Sequence, residues 1–277
     1  MPFLKTTASP TTELHYVDIG EGQPVVLIHA WPVSHRMWES QITALAEAGY
    51  RCIAYDRRGF GESGRPTGGY DYDTFVSDLN DLMTQLDVSD AVLAGFSMGG
   101  GEVARYLTRH RASKVRQAVL IASIVPYLLR TPDNPAGVEQ KVFDGMADGI
   151  AADRAAFWPL FFKSFYGVGR LSHPVSQEVI DWSCDLSMQA SLRATLECAK
   201  SFSTTDLRPD LKSFTVPTLI IHGTADQTVP IDTSARAAAA GIAGSTLLEY
   251  DGAPHGLLAS HKPQLIADVL QFLARGA

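Results

Sequence analysis

Residues 95–99, GFSMG, set one serine, Ser97, between glycines in a G-x-S-x-G pattern. An apolar run (91–96, AVLAGF) precedes it and a helical stretch (98–110) follows. That context predicts a strand–turn–helix elbow whose hydroxyl projects above the edge of a sheet. Glycine at 95 and 99 removes the β-carbons that would collide where strand and helix converge. Taken alone, the segment also suits a glycine-rich turn with a capping serine. A serine hydroxyl is a weak nucleophile, so the chemistry depends on a general base and on a group that orients the base.

Of eight histidines, His255 in YDGAPHGLL occupies a loop after the last strand and before the last helix. His222 ends an apolar run and suits a satisfied core histidine, and His29 ends VVLIH, where it suits the ordering of a turn. His110, His173 and His261 lie in surface-like contexts, and His15 and His35 have no chemical neighbours in sequence. The acid candidate is Asp226 in LIIHGTADQTVP, in a turn marked by Gly223 and closed by Pro230. Alone, it would pass for a turn aspartate capping a helix near 232. Together, three loops supply Ser97, Asp226 and His255, each at the C-terminal end of a strand. That set suits acyl transfer. Two backbone N–H donors should then meet the oxygen on which charge builds. Met98, at the start of the helix after the serine, offers one. Trp31, in HAWPVSHRMW after the third strand, offers the other.

These loops need a sheet to hold them. Runs at 24–29, 51–55, 91–96, 115–123, 216–223 and 245–250 suit strands buried on both faces. Helical patterns fall at 36–48, 72–86, 98–110, 232–241 and 261–274. That alternation predicts βαβ units, a mostly parallel sheet flanked by helices and an α/β fold. ELHYVDIG (13–20), followed by a Gly-containing turn, suits an antiparallel hairpin at the start of the sheet. The rhythm breaks from 124 to 210, where helical patches but no convincing strand occur. The expected organisation is a core of 1–123 and 211–277 carrying a helical cap at 124–210.

Composition narrows the function. With 45% hydrophobic and 19% charged residues the chain is ordinary globular material, and a net charge of −7 without a basic run argues against nucleic acid. No run of about 18 apolar residues suggests a membrane span, and the N-terminus lacks a secretory apolar region. Three cysteines without CxxC spacing read as free thiols, so a cytoplasmic location is expected. GFGESG (59–64) satisfies G-x-G-x-x-G, but Pro66, Gly68 and Gly69 prolong the loop, against a dinucleotide site.

HAWP (29–32), YDRRGFGES (55–63), YDYDTF (70–75), GFSMGGGEVARY (95–106), IHGTADQTVP (221–230) and GAPHGL (252–257) carry a resemblance across the whole core. The chain resembles the cofactor-free, non-haem haloperoxidase, aryl-esterase and perhydrolase branch of the α/β-hydrolase superfamily. The resemblance implies an eight-stranded α/β-hydrolase sheet. It also implies Ser97, Asp226 and His255 as triad and Trp31 and Met98 as oxyanion donors. The pocket residues it implies are Ile124, Leu128, Met146, Phe161, Phe165, Phe202 and Val229. On spacing alone, Phe157, Phe161 and Phe165 read as a packing stripe.

The implied activity is hydrolysis of aryl or short-chain esters through an acyl-enzyme, with water as acceptor. Hydrogen peroxide in place of water releases a peracid that oxidises bromide off the enzyme. This chemistry needs no metal or haem, in keeping with the lack of HExxH or clustered ligand spacing. A lactamase or amidase would use the same triad, and a triad-retaining binding protein is the alternative outside enzymes. Relatives of this kind often form oligomers, so a homo-oligomer is expected. One departure stands out: Ala30 replaces a glycine usual in the family, which matters only if that position needs a positive φ.

Overall fold

The strands with the longest apolar runs occupy the middle of the sheet. They are β3 (Gln23–Ile28), β5 (Ala91–Phe96), β6 (Val115–Ile121) and β7 (Thr218–Gly223). Every residue of β5 and β7 is buried, which requires cover on both faces. With β1 (Phe3–Lys5), β2 (Glu13–Ile19), β4 (Tyr50–Tyr55) and β8 (Thr246–Tyr250) they form one eight-stranded sheet. Its order is β1-β2-β4-β3-β5-β6-β7-β8. The computed structural model describes residues 2–110 and 112–275.

All neighbours run parallel except β1 with β2 and β2 with β4. The hairpin expected through the turn after residue 20 does not form: β2 lies antiparallel to β4, Tyr16 facing Tyr55, and β3 lies on the other side of β4. The reason is burial. β3 is buried along its last four residues and belongs in the centre, whereas β2 ends exposed and suits a place near the edge. β1 was too short to read from sequence, and it docks Leu4 beside Leu14.

Helices α1 (Glu39–Glu47), α2 (Tyr72–Gln85) and α3 (Met98–His110) follow β3, β4 and β5. The Asp71 carboxylate caps α2 by accepting from the Thr74 N–H at 2.9 Å. Between β6 and β7 stand α4 (Gln140–Phe165), α5 (Gln177–Gln189) and α6 (Leu192–Thr204). α4 breaks at Asp153 (φ −160°), whose carboxylate accepts from the Ala156 N–H at 3.0 Å and caps the second half. Helices α7 (Ala235–Gly241), α8 (Leu257–Ser260) and α9 (Lys262–Ala274) complete the chain. α1 packs on α9 and α2 on α3. Among the described residues no helix is long and apolar enough to cross a membrane.

One feature of this order positions the site. From β3 the chain moves to β4 on one side, and β5 then joins β3 on the other. At such a switch point the loops leaving adjacent strands diverge and open a crevice. Here those are the loop with Trp31 and the loop with Ser97.

Candidate active site

Ser97 joins β5 directly to α3 with φ +54°, a left-handed conformation that a side chain other than glycine seldom takes. The turn is held by hydrogen bonds from Ser97 N–H to Ile121 O (2.9 Å) and from Gly100 N–H to Ser97 O (3.0 Å). The flanking glycines are explained by close approach. A β-carbon on Gly99 would stand 2.4 Å from the Ile28 carbonyl oxygen, and one on Gly95 would meet the Gly99 backbone. Only hydrogen fits there, so α3 can begin at the residue after the serine.

The loop after β8 brings His255 to this hydroxyl, with Nε2 3.0 Å from Ser97 Oγ. Its other nitrogen, Nδ1, lies 2.6 Å from Asp226 Oδ2 in the loop after β7. A carboxylate only accepts, so Nδ1 carries the proton and Nε2 is free to accept from the serine. The imidazole is buried, stacked on Phe96 (5.2 Å) and edged by Phe165 (4.7 Å), which fixes its plane. Asp226 Oδ1 accepts from the N–H groups of Thr228 and Val229, both at 2.8 Å. Burial alone would raise the Asp226 pKa; His255 and His222 outweigh it and hold the carboxyl well below the usual range.

His222 is a member of this group that the sequence did not reveal. Its Nε2 lies 2.9 Å from Val229 O and 3.1 Å from Asp226 Oδ2. The signal available was its place four residues before Asp226, at the end of the same strand.

The Trp31 and Met98 backbones lie on either side of the switch point. Among the described residues neither N–H donates to a protein acceptor. Both residues are buried, and Trp31 Nε1–H donates to Thr195 O (2.9 Å). Ala30 is not among the residues with positive φ, so alanine replaces glycine there without strain. A buried network ties this loop to α3. His29 Nδ1–H donates to Ala30 O (2.7 Å), and its Nε2 accepts from Arg57 N–H (2.9 Å). The Arg57 guanidinium reaches His29 O (2.9 Å) and Glu102 Oε1 (2.5 Å), and Tyr55 OH donates to Glu102 Oε2. Glu102 sits on α3 five residues beyond the serine, so the Arg57–Glu102 pair, through His29 O, links the Trp31 loop to the elbow.

Ser97 and His255 open into a cavity of about 260 Å3. All seven residues expected around the pocket line it: Ile124, Leu128, Met146, Phe161, Phe165, Phe202 and Val229. So do Trp31 and Phe157. The aromatic stripe on α4 therefore faces a cavity, which departs from the packing role its spacing suggested. The alternate residues Trp158 and Phe162 are fully buried behind it. Val138, Val142, Phe143, Ser164, Gln227 and Thr228 complete the lining and carry no sequence signal.

Two other features lie apart from Ser97. GFGESG forms a loop around the Asp56 carboxylate, and no helix begins until Tyr72, so nothing there resembles a dinucleotide turn. His15 and His35, isolated in sequence, meet at Asp56, and among the described residues this trio alone is spaced to hold a metal ion. The Asp56 carboxylate is already engaged. His35 Nδ1 (2.7 Å), the His35 backbone N–H (2.8 Å) and the Glu62 backbone N–H (2.9 Å) all donate to it. Cys52, Cys184 and Cys198 are free thiols.

Comparison with known proteins agrees with this fold. Residues 23–262 match the alpha/beta hydrolase fold family. The chain is 41% identical to the non-heme chloroperoxidase of Kitasatospora aureofaciens, over 96% of its own length and 98% of the relative's. It is 33% identical to the bifunctional esterase/perhydrolase of Acinetobacter calcoaceticus, again over 96% and 98%. The crystal structure of a bromoperoxidase from Bacillus anthracis superposes with a TM-score of 0.94 at 42% identity, covering 99% of this chain and 100% of that one.

Proposed function

Because this chain belongs to the alpha/beta hydrolase fold family, we propose that it is a serine carboxylester hydrolase for aryl and short-chain esters. The observation that carries this reading is the unbroken hydrogen-bonded chain from Asp226 through His255 to Ser97 at the floor of an aromatic cavity.

In the proposed reaction His255 Nε2 takes the Ser97 proton as Oγ attacks the ester carbonyl. The N–H groups of Trp31 and Met98 receive the oxyanion; in comparable enzymes one such donor is worth about 10²–10³ in kcat. The imidazolium, stabilised by Asp226, protonates the departing alcohol and leaves Ser97 acylated. Water, giving its proton to His255, then attacks the acyl carbon; the bond to Ser97 Oγ breaks, His255 returns the proton to Oγ, and the acid leaves. Hydrogen peroxide in that role frees a peracid, which oxidises bromide in solution; the chloroperoxidase and esterase/perhydrolase named among the relatives favour this second acceptor. Residues 124–210 act as the cap, since α4 and α6 supply Met146, Phe157, Phe161, Phe165 and Phe202 to the cavity wall.

Turnover of p-nitrophenyl acetate tests the reading. Many turnovers per protein, lost in Ser97→Ala, are expected. One slow acylation without release would instead mark a binding protein. Acetate with peroxide and bromide, and a bicyclic lactam, tested on the same preparation, separate perhydrolysis and amide cleavage from ester hydrolysis.

A further inference from the structure

We propose that His222 is a positioning residue that holds the Asp226 carboxylate toward His255 and sets how strongly that carboxylate supports the His255 imidazole. The proposal rests on the reading of Ser97, His255 and Asp226 given above as nucleophile, base and the acid that orients the base.

The hydrogen-bond arithmetic is decisive. His222 Nε2 faces only acceptors, Val229 O at 2.9 Å and Asp226 Oδ2 at 3.1 Å, so it must carry the proton. Its Nδ1 is buried without a hydrogen-bond partner, so a second proton there would be a buried donor with nothing to meet. His222 therefore presents an Nε2–H forked between a loop carbonyl and the acid. No surface exchange dilutes this arrangement, because the side chain is fully buried.

Asp226 Oδ2 accordingly has two imidazole donors, His255 at 2.6 Å and His222 at 3.1 Å. Shared acceptors polarise less toward each partner than an unshared one does. The same His222 proton also fixes Val229, whose N–H closes a ring back to Asp226 Oδ1 at 2.8 Å and whose side chain lines the cavity. One histidine thus ties together the acid, the loop that carries it and the wall of the pocket. Glu249 stands opposite His222 on β8, and Arg236 holds Glu249 at 2.6–2.8 Å. Packed around His255 are Ser97, Asp226, Phe96 and Phe165.

The test combines kinetics with nitrogen-15 and proton NMR on the intact protein. In the wild type, His222 is expected to carry a proton on Nε2, directed at Val229 O and Asp226 Oδ2. A His222 whose Nε2 carries no proton would overturn the proposal without any variant. His222→Phe keeps the volume and removes the donor. Its kcat should fall about tenfold to a hundredfold, the worth of one hydrogen bond to a charged group, with KM for a short ester little changed. The Oδ2 charge then falls on His255 alone, so the acid limb of kcat/KM should move to higher pH and the His255 Nδ1 proton should shift. His222→Gln, which presents an N–H at similar reach, should restore both. A folded His222→Phe with an unmoved limb and an unmoved Nδ1 proton, whatever its kcat, would make His222 mere scaffold. The NMR readouts need no turnover, so they stand even if Ser97→Ala shows that the ester chemistry lies elsewhere.

Discussion

Gly95 and Gly99 touch backbone to backbone: a β-carbon on Gly95 would lie 2.5 Å from the Gly99 carbonyl oxygen and 2.6 Å from the Gly100 nitrogen. Neither contact involves a flexible side chain, so nothing can yield cheaply. The crossing of β5 and α3 at this point brings Ser97 up over the sheet.

Gly95→Ala is therefore expected to destabilise the fold by about 1–3 kcal/mol, the range for a forced overlap in a packed interior. Denaturant midpoints at unchanged m-value measure it. Esterase activity should fall further than stability, because the elbow carries the nucleophile. A variant as stable as wild type would mean that strand and helix can part without cost.

Asp226→Asn should fold and keep its loop, since the amide oxygen can still accept from Thr228 and Val229. The amide nitrogen would then face His255 Nδ1 and favour the tautomer with the proton on Nε2, the wrong one for a base. A loss of about 10⁴ in kcat is expected, by analogy with other serine triads. Stopped-flow acylation and circular dichroism together separate this from unfolding.

Neighbours on α4 should respond oppositely. Phe161 borders the cavity, whereas Trp158 is fully buried behind it. Phe161→Ala should enlarge the pocket and shift kcat/KM toward bulkier acyl or alcohol groups with a small change in stability. Trp158→Ala should cost about 3–5 kcal/mol by leaving a hole in the core. Equal effects from both would contradict the division of faces.

His29 should stay neutral well below the usual histidine range. Burial, and then the Arg57 guanidinium beside it, lower its pKa to about 3. The unfolded chain takes up that proton near the ordinary pKa of about 6.5. Stability is thus expected to decline as pH falls from about 6.5 toward 3, because the unfolded state binds the proton first. In His29→Gln the same decline should be shallower. An NMR titration of the His29 Cε1–H in the folded protein should be flat from pH 8 to 4; a midpoint near 6 would refute this.

Much of this is legible in the sequence alone. The elbow is a local device: four glycines around one serine, with an apolar run before and a helix after, leave few conformations open. Strand ends are similarly local, so the loops carrying Asp226 and His255 could be placed on the rim. The neighbour of β2 is not legible, because alternation says that a strand exists and says nothing of its partner. The Phe157–Phe161–Phe165 stripe suits packing as well as a cavity wall, because its spacing fixes only which residues share a face.

Sequence by itself determined the sheet's rhythm, the bend at Ser97 and the order in which hydroxyl, carboxylate and imidazole occur. Those features follow from neighbours within a few residues, where sterics and periodicity act. Only the folded chain decided that His222 shares the Asp226 carboxylate, that His15 and His35 meet at Asp56, and that Ala30 sits at negative φ. The Asp56 cluster joins groups from different strands and loops, while the His222 contact and the Ala30 angle are set by the course each loop is made to take by the elements packed around it. Short-range propensity carries no record of either.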